Sequence, residues 1–147
     1  MEATGTSSLT TSFRRAGSSD ILPISRLLRE FYRKAGGCYL IPFNLNSTLS
    51  TVEDVIRHGI CLAGDGSCAG AIIQDFPFNS SAHVAYVVFW AFKPAREIGI
   101  FKALMDACKL AGATHLTAAS HFPRHTIQRH YGRLGLTPAD CYSITAL

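Results

Sequence analysis

The segment that most constrains this chain is its longest uninterrupted apolar run, Val84 to Phe92, which passes directly into Lys93-Pro94 and a helical pattern. The run is nine residues long, which is about half of what a membrane span requires. A strand that is apolar at nearly every position is typical of the centre of a sheet covered on both faces. With His83 at its start, the run predicts a central β-strand that leads into a helix.

The rest of the chain supplies further strands and helices around this one. Residues 1–12 are rich in Ser and Thr and predict a flexible head, and a single domain follows over residues 13–147. Hydrophobic periodicity predicts strands at 13–16, 60–63, 67–74, 83–92, 114–120 and 141–146, and helices at 19–35, 50–58, 95–111 and 126–134. This order is expected of a mixed α/β fold, a single and mostly antiparallel sheet of six to seven strands with helices on both faces.

Local signals place the ends of these elements. Ser19-Asp20 predicts the N-cap of the first helix, and Ser50 with Glu53 has the spacing of a capping box that starts the second helix. Gly and Asp at residues 64–66 predict a tight turn between two strands. Residues 77–80 contain Pro, Asn and Ser and predict a loop before the central strand.

Composition bounds the class of protein and its surroundings. With 147 residues, 48% of them hydrophobic and 16% charged, the chain is long and apolar enough for one globular domain. A formal net charge of +4 is a mild excess and predicts no nucleic-acid partner. Five cysteines without a CxxC pair predict free buried thiols and no metal site. The lack of a signal-peptide pattern predicts a cytoplasmic protein without a membrane partner.

The turn that follows the central strand is the part of the sequence most suited to chemistry. It reads Arg96-Glu97-Ile98-Gly99-Ile100-Phe101 at the start of a helix, where unpaired N–H groups and the helix dipole favour a bound phosphate. This segment resembles motif A of the GCN5-related N-acetyltransferases, Gln/Arg-x-x-Gly-x-Gly/Ala, and residues 124–136 resemble the closing motif of that family. The short motifs Phe89-Trp90 and Pro94-x-Arg96 are similar to those of acetyltransferases encoded by phage genomes.

The resemblance implies that acetyl-CoA is the co-substrate and that an amine attacks its thioester directly in a ternary complex. Backbone N–H groups of the turn would line the diphosphate, and the end of the central strand would face the pantetheine arm. Tyr131 would act as the general acid that protonates the leaving thiolate. The residues that the resemblance assigns to the cofactor are Val88, Phe89, Trp90, Arg96, Glu97, Ile98, Gly99, Phe101 and Lys102.

Two residues depart from the family pattern. Phe101 stands where the motif has Gly or Ala, and Glu97 places an anion where a diphosphate should bind. Either the Phe101 ring turns into the core and the cofactor still binds, or the cofactor site is lost. The general base is also open, because the central strand carries no carboxylate, and the candidates are His83, Asp75 and His121.

Two functions therefore compete at this stage. The first is an N-acetyltransferase that acts on a small-molecule or protein amine. The second is a catalytically degenerate protein with the same fold, which serves in a homo-oligomer or as a component of a phage particle, in the host cytoplasm or in the virion. Apolar side chains in expected loops, among them Phe76 and Phe78, favour the second function because they can form a contact surface.

Overall fold

A mixed five-stranded sheet organises the residues that the structure, a computed structural model, describes, namely 13–34, 42–118 and 132–137. The strands are β1 (Arg14–Arg15), β2 (Ile60–Gly64), β3 (Ser67–Phe76), β4 (Asn79–Ala91) and β5 (His115–Ala118), and the helices are α1 (Ile21–Lys34), α2 (Leu45–His58) and α3 (Glu97–Leu110). The strands lie in chain order; β1 to β4 are antiparallel neighbours and β5 runs parallel to β4. The predicted mixed α/β sheet with flanking helices is confirmed. The last predicted helix and strand (126–134 and 141–146) lie almost wholly outside the described residues.

The sheet is covered on both faces, as the apolar central run requires. On one face α3 packs with Ile100, Leu104 and Cys108 against β2 to β4, and we call this the α3 core. On the other face α1 and α2 pack with residues that include Ile24 and Val52, and we call this the α1/α2 core. β2 serves both cores, because its successive side chains point to opposite faces and all are apolar.

The second helix begins five residues before the predicted start. Asn44 is its N-cap, and the Oδ1 atom of Asn44 accepts a hydrogen bond from the backbone N–H of Ser47 (2.9 Å). Ser50 therefore lies inside α2, and the capping-box prediction at Ser50 is wrong. The spacing of Ser50 and Glu53 alone could not distinguish a helix start from a helix interior, because serine is tolerated both at an N-cap and at an exposed interior position.

The first helix is also entered differently from the prediction. Residues Ser18–Asp20 form a 3-10 turn with Gly17 as its N-cap, so Ser19-Asp20 is not the cap. The Asp20 carboxylate accepts a hydrogen bond from Gly17 N–H (2.8 Å) and two from the Arg14 guanidinium (2.8 Å each). Its side chain is only 12% exposed. Asp20 thus ties β1 to the start of α1.

We expect this tie to make the fold sensitive to acid. The hydrogen bond from Arg14, followed by the bond from Gly17, lowers the pKa of Asp20 to about 2, against an ordinary value of about 3.9 in an unfolded chain. Because the folded value is the lower one, the stabilisation is complete above about pH 5 and is lost as the pH falls toward 2.

Asp20→Asn should therefore lower the midpoint of thermal unfolding at pH 7 by about 2–4 °C. The difference from the wild type should shrink when both are melted at successively lower pH between 5 and 2. A difference that stays constant over this range would contradict the assignment of the effect to the carboxylate.

β4 is longer than predicted and contains an irregularity at Val88. It starts at Asn79, so the predicted loop at 77–80 is confirmed at Pro77 and Phe78, which separate β3 from β4, and is wrong for the two residues that follow. Gly70 pairs with Phe89 but the next β3 residue, Ala71, pairs with Val87, which leaves Val88 without a cross-strand partner. Val88 is thus the extra residue of a β-bulge.

The described cysteines are buried free thiols, as predicted. Cys61, Cys68 and Cys108 form no disulfide with one another, and burial raises the pKa of Cys108 to about 11. Cys38 and Cys141 lie outside the described residues. Of the helices in the described ranges, none combines the length and the apolar character needed to traverse a bilayer.

Candidate functional site

The turn between β4 and α3 has the form expected of an anion-binding turn. After Lys93, residues Pro94–Arg96 make one 3-10 turn, and α3 begins at Glu97 with Arg96 as its N-cap. Pro fits this position because its fixed φ and missing N–H suit a helix start. Within the described residues no side chain of the N-cap bonds to the helix end. The positive end of the α3 dipole favours an anion here, and the first turn of α3 also carries the acidic Glu97.

Phe101, the larger of the two departures from the motif, is a core residue. Its side chain is completely buried, and its ring packs against Trp90 with a centroid distance of 4.6 Å. The residues of the same helical turn that remain exposed are Gly99 and Lys102. The ring thus fills space between α3 and the sheet and does not cover the outer surface of the turn.

At the end of β4, the side chains of Phe89 and Trp90 are packed against other residues, so a ligand would mainly contact the backbone. The ring of Phe89 lies over Gly70, where an added Cβ would sit 2.5 Å from its Cζ, and Trp90 packs between Phe92 (4.9 Å between centroids) and Phe101. Val88, at the bulge, is 42% exposed. Any ligand that meets this part of β4 therefore contacts Val88 or the main chain.

The β4–β5 ladder ends close to the bulge. Among the described residues, the last parallel pair is Val87 with Ala118. The described pairs between β4 and β5 do not extend to residues 88–91. An extended ligand could therefore pair with this edge as an added strand does.

Gly99 has a packing role as well as an exposed surface. A Cβ on Gly99 would lie 3.3 Å from Cε2 of Phe13, which packs on the α3 core. Ile98 and Glu97, next to it, are half-buried. The absence of a side chain at Gly99 thus allows Phe13 to pack closely against α3. The motif alone could not distinguish this packing role from a role in phosphate binding.

Two cations of the turn share one carboxylate from a distant part of the chain. Asp65, at the tip of the β2–β3 hairpin, accepts a hydrogen bond from Arg96 Nε on Oδ2, and its Oδ1 lies 3.3 Å from Lys93 Nζ. These bonds, with Arg96 first and Lys93 second, lower the pKa of Asp65 from its ordinary value. Asp65 is a site residue that the sequence analysis did not identify.

His83 and Asp75, two candidates for the general base, form a pair. They are directly opposite in the β3–β4 ladder, and His83 Nδ1–H donates to Asp75 Oδ1 (2.7 Å). The carboxylate fixes the tautomer and leaves Nε2 free to accept a proton when the ring is neutral.

The structure does not bring this pair to the turn. His83 precedes Val88 by five residues on β4, which is about 16 Å along an extended strand. Val88, Trp90, Arg96 and Phe101 are gathered at one end of the sheet, and His83 is nearer the other. Tyr131 and His121, which the sequence also singles out, lie outside the described residues. The described residues contain no group of His, Cys, Asp and Glu that could hold a metal ion.

Comparisons with solved structures give the fold a name. No protein-family model and no curated protein sequence matches the chain. A predicted acetyltransferase from Clostridium acetobutylicum, solved with acetyl-CoA, has a TM-score of 0.69 at 12% identity, with 91% of this chain and 94% of that one covered. Glucosamine-6-phosphate N-acetyltransferase from Arabidopsis thaliana has a TM-score of 0.64 at 11% identity, with 91% and 96% covered.

A third similar structure carries no activity in its name. It is an integron cassette protein from the mobile metagenome of Cole Harbour Salt Marsh, with a TM-score of 0.71, 14% identity and coverage of 95% of this chain and 91% of that one. Identities this low establish the shape of the chain, while its activity has to be argued from its own residues. The chain has the fold of the GCN5-related N-acetyltransferases.

Proposed function

We propose that this protein is an N-acetyltransferase that transfers an acetyl group from acetyl-CoA to an amine. The observation that carries the proposal is the position of Phe101. Its ring is buried against Trp90, so that the residues exposed on the outer surface of the turn are Gly99 and Lys102. Arg96 and Lys93 supply positive charge there, and the N-terminus of α3 supplies a favourable dipole. These groups are suited to the diphosphate of a CoA thioester.

The bulge in β4 supports the same proposal. The main chain of residues 88–91 lies beyond the last described pair of β4 with β5, and in this proposal it bonds to the two amides of a pantetheine arm. Because the side chains of Phe89 and Trp90 are occupied in the two cores, their backbone atoms are the parts that meet the ligand in this proposal.

In the reaction we propose, the nitrogen of a neutral amine attacks the thioester carbonyl carbon, the new C–N bond forms and the C–S bond breaks. The amine loses one proton, and the leaving thiolate gains one. We assign Tyr131 as the donor of the proton that the thiolate gains. His83, oriented by Asp75, is our proposed acceptor of the amine proton. Its separation from Val88 along β4 requires water to relay that proton. The phage-type origin and the cytoplasmic location stay predictions.

Binding of acetyl-CoA tests the proposal directly. Titration calorimetry should detect a complex with the wild type, and Arg96→Ala should weaken it by at least about tenfold, since a hydrogen bond to a charged group is worth about 1.5–3 kcal/mol. Lys109→Ala is the matched control, because Lys109 is an exposed cation at the opposite end of α3. An absence of binding at millimolar acetyl-CoA, or an equal loss in both variants, would overturn the proposal.

A role in assembly is the second candidate, and the tip of the β3–β4 hairpin favours it. Phe78 is 90% exposed and Phe76 is 39% exposed, and their rings pack edge to face with centroids 5.8 Å apart. Two exposed aromatic rings at one tip are a suitable anchor for a partner. A protein that elutes as a monomer and binds acetyl-CoA would exclude this candidate, whereas a large oligomer that fails to bind it would favour it.

A further inference from the structure

We propose that Asp65 limits the affinity of the turn for anions by acting as an internal substitute for a bound phosphate. The inference rests on the proposed function, because it concerns the same cations that would hold the CoA diphosphate. A ligand phosphate at Arg96 and Lys93 has to displace the Asp65 carboxylate or share the two cations with it. Asp65 then sets how tightly the co-substrate binds.

The geometry of the hairpin tip supports this role. Asp65 uses a different carboxylate oxygen for each cation, with Oδ2 toward Arg96 and Oδ1 toward Lys93. The two cations belong to the turn that leads into α3, whereas Asp65 is about thirty residues earlier in the chain. The carboxylate is thus delivered to the turn by the fold of the β2–β3 hairpin. A phosphate, which also offers several oxygens to two cations, would compete for the same donors.

The backbone of the hairpin fixes Asp65 in this position. Asp65 has a φ of 48°, between Gly64 and Gly66, so the tip adopts a left-handed conformation that Asp tolerates better than most residues. The stem of Lys93 crosses Gly66, where an added Cβ would lie 2.6 Å from Lys93 Cε. Lys93 is held from its backbone as well, because its N–H donates to Ser67 Oγ (3.2 Å). Asp65 and Lys93 therefore start from fixed positions.

The exposure of the three groups shows that a ligand can reach them. The side chains of Lys93, Arg96 and Asp65 are 58%, 47% and 35% exposed. Ion pairs at such exposure contribute little to folding. Removing the negative charge of Asp65 should consequently alter anion binding more than it alters stability.

The test compares the wild type with Asp65→Asn, which keeps the size of the side chain. We expect Asp65→Asn to bind inorganic pyrophosphate and acetyl-CoA about two- to fivefold more tightly at 0.05 M salt, the size of effect that an exposed ion pair allows. The gain should disappear at 1 M salt, where the Debye length falls to about 3 Å. Asp106→Asn is the control, because it removes the same charge from an exposed position farther along α3.

The outcomes separate this inference from the proposed function. Wild-type binding of acetyl-CoA that Asp65→Asn leaves unchanged or weakens would overturn the inference and leave the acetyltransferase proposal standing. Tighter binding of pyrophosphate by Asp65→Asn, with no binding of acetyl-CoA by any of the proteins, would support the anion competition and overturn the acetyltransferase. An equal gain in Asp106→Asn would reduce the effect to net charge and overturn the inference. Failure of all three proteins to bind either probe would overturn both.

Discussion

Phe101→Ala should destabilise the protein by about 3–5 kcal/mol, the cost of removing a large aromatic side chain from a packed interior. The ring is completely buried and contacts Trp90, which in turn contacts Phe92. Truncation would leave a cavity between α3 and the end of β4 that these neighbours cannot fill without leaving their own positions. For a chain of this length, the midpoint of thermal unfolding should fall by about 10 °C or more.

Phe78→Ala is the control for this experiment. Phe78 has the same side chain but is 90% exposed, so its truncation should change the midpoint by less than about 1–2 °C. Equal effects of the two variants would show that Phe101 is not in the core. The result bears on function as well, since a small residue at this position, as in the family motif, would then cost this chain much of its stability.

Gly59→Ala should be almost as damaging, although it adds a single methyl group. Gly59 connects α2 to β2, and a Cβ there would overlap the backbone oxygen of Ala71 and approach that of Val55 at 3.1 Å. Both neighbours are main-chain atoms, of a strand and of a helix end, so neither can rotate away. We expect a loss of about 3 kcal/mol, the upper part of the range for overpacking, measured by urea unfolding.

Gly17→Ala separates this steric effect from the general change of glycine to alanine. Gly17 and Gly59 have similar φ angles, −121° and −124°, and a Cβ at Gly17 has no atom within 4 Å. Gly17→Ala should therefore leave stability unchanged or raise it slightly. Comparable losses in the two variants would mean that the chain path around Gly59 differs from the one described.

The elements that the sequence predicts well are those with strong local chemistry. Ile24, Leu27 and Phe31 recur at helical spacing and do face one core, and the Gly-Asp-Gly turn does join two strands. The start of α2 was misplaced because the spacing of Ser50 and Glu53 mimics a helix start, although Leu45 and Leu49 continue the apolar repeat of Val52 back toward the true cap, Asn44. The start of β4 was misplaced because Asn79 and Ser81 are poor strand formers, although Asn79 pairs with Phe76 of β3.

The sequence predicts the residues of the candidate site that are neighbours in sequence, and it does not predict contacts between residues far apart in sequence. Arg96 and Gly99 follow from the strand-turn-helix pattern, and the burial of Phe101 is one of the two outcomes that its position allows. The contact of Asp65 with Arg96 and Lys93 depends on how a hairpin docks on a turn about thirty residues later. The pairing of His83 with Asp75 was also out of reach, because a regular two-residue turn at Pro77 and Phe78 would place Asp75 opposite Ser80, and only the register shift next to Asp75 brings His83 to it.

The bulge at Val88 also divides β4 into two segments whose faces are out of phase. Before it, Ala85 and Val87 face the α3 core, and after it Trp90 does, so the odd-numbered positions give way to even ones. A strand that kept Val88 but continued the regular alternation of Ala85 and Val87 would place Phe89 on the α3 side and drive the aromatic side chains downstream toward the wrong layers. Chimeras with other proteins of this fold should accordingly be joined within the regular part of β4, with the extra residue and everything downstream inherited from a single parent.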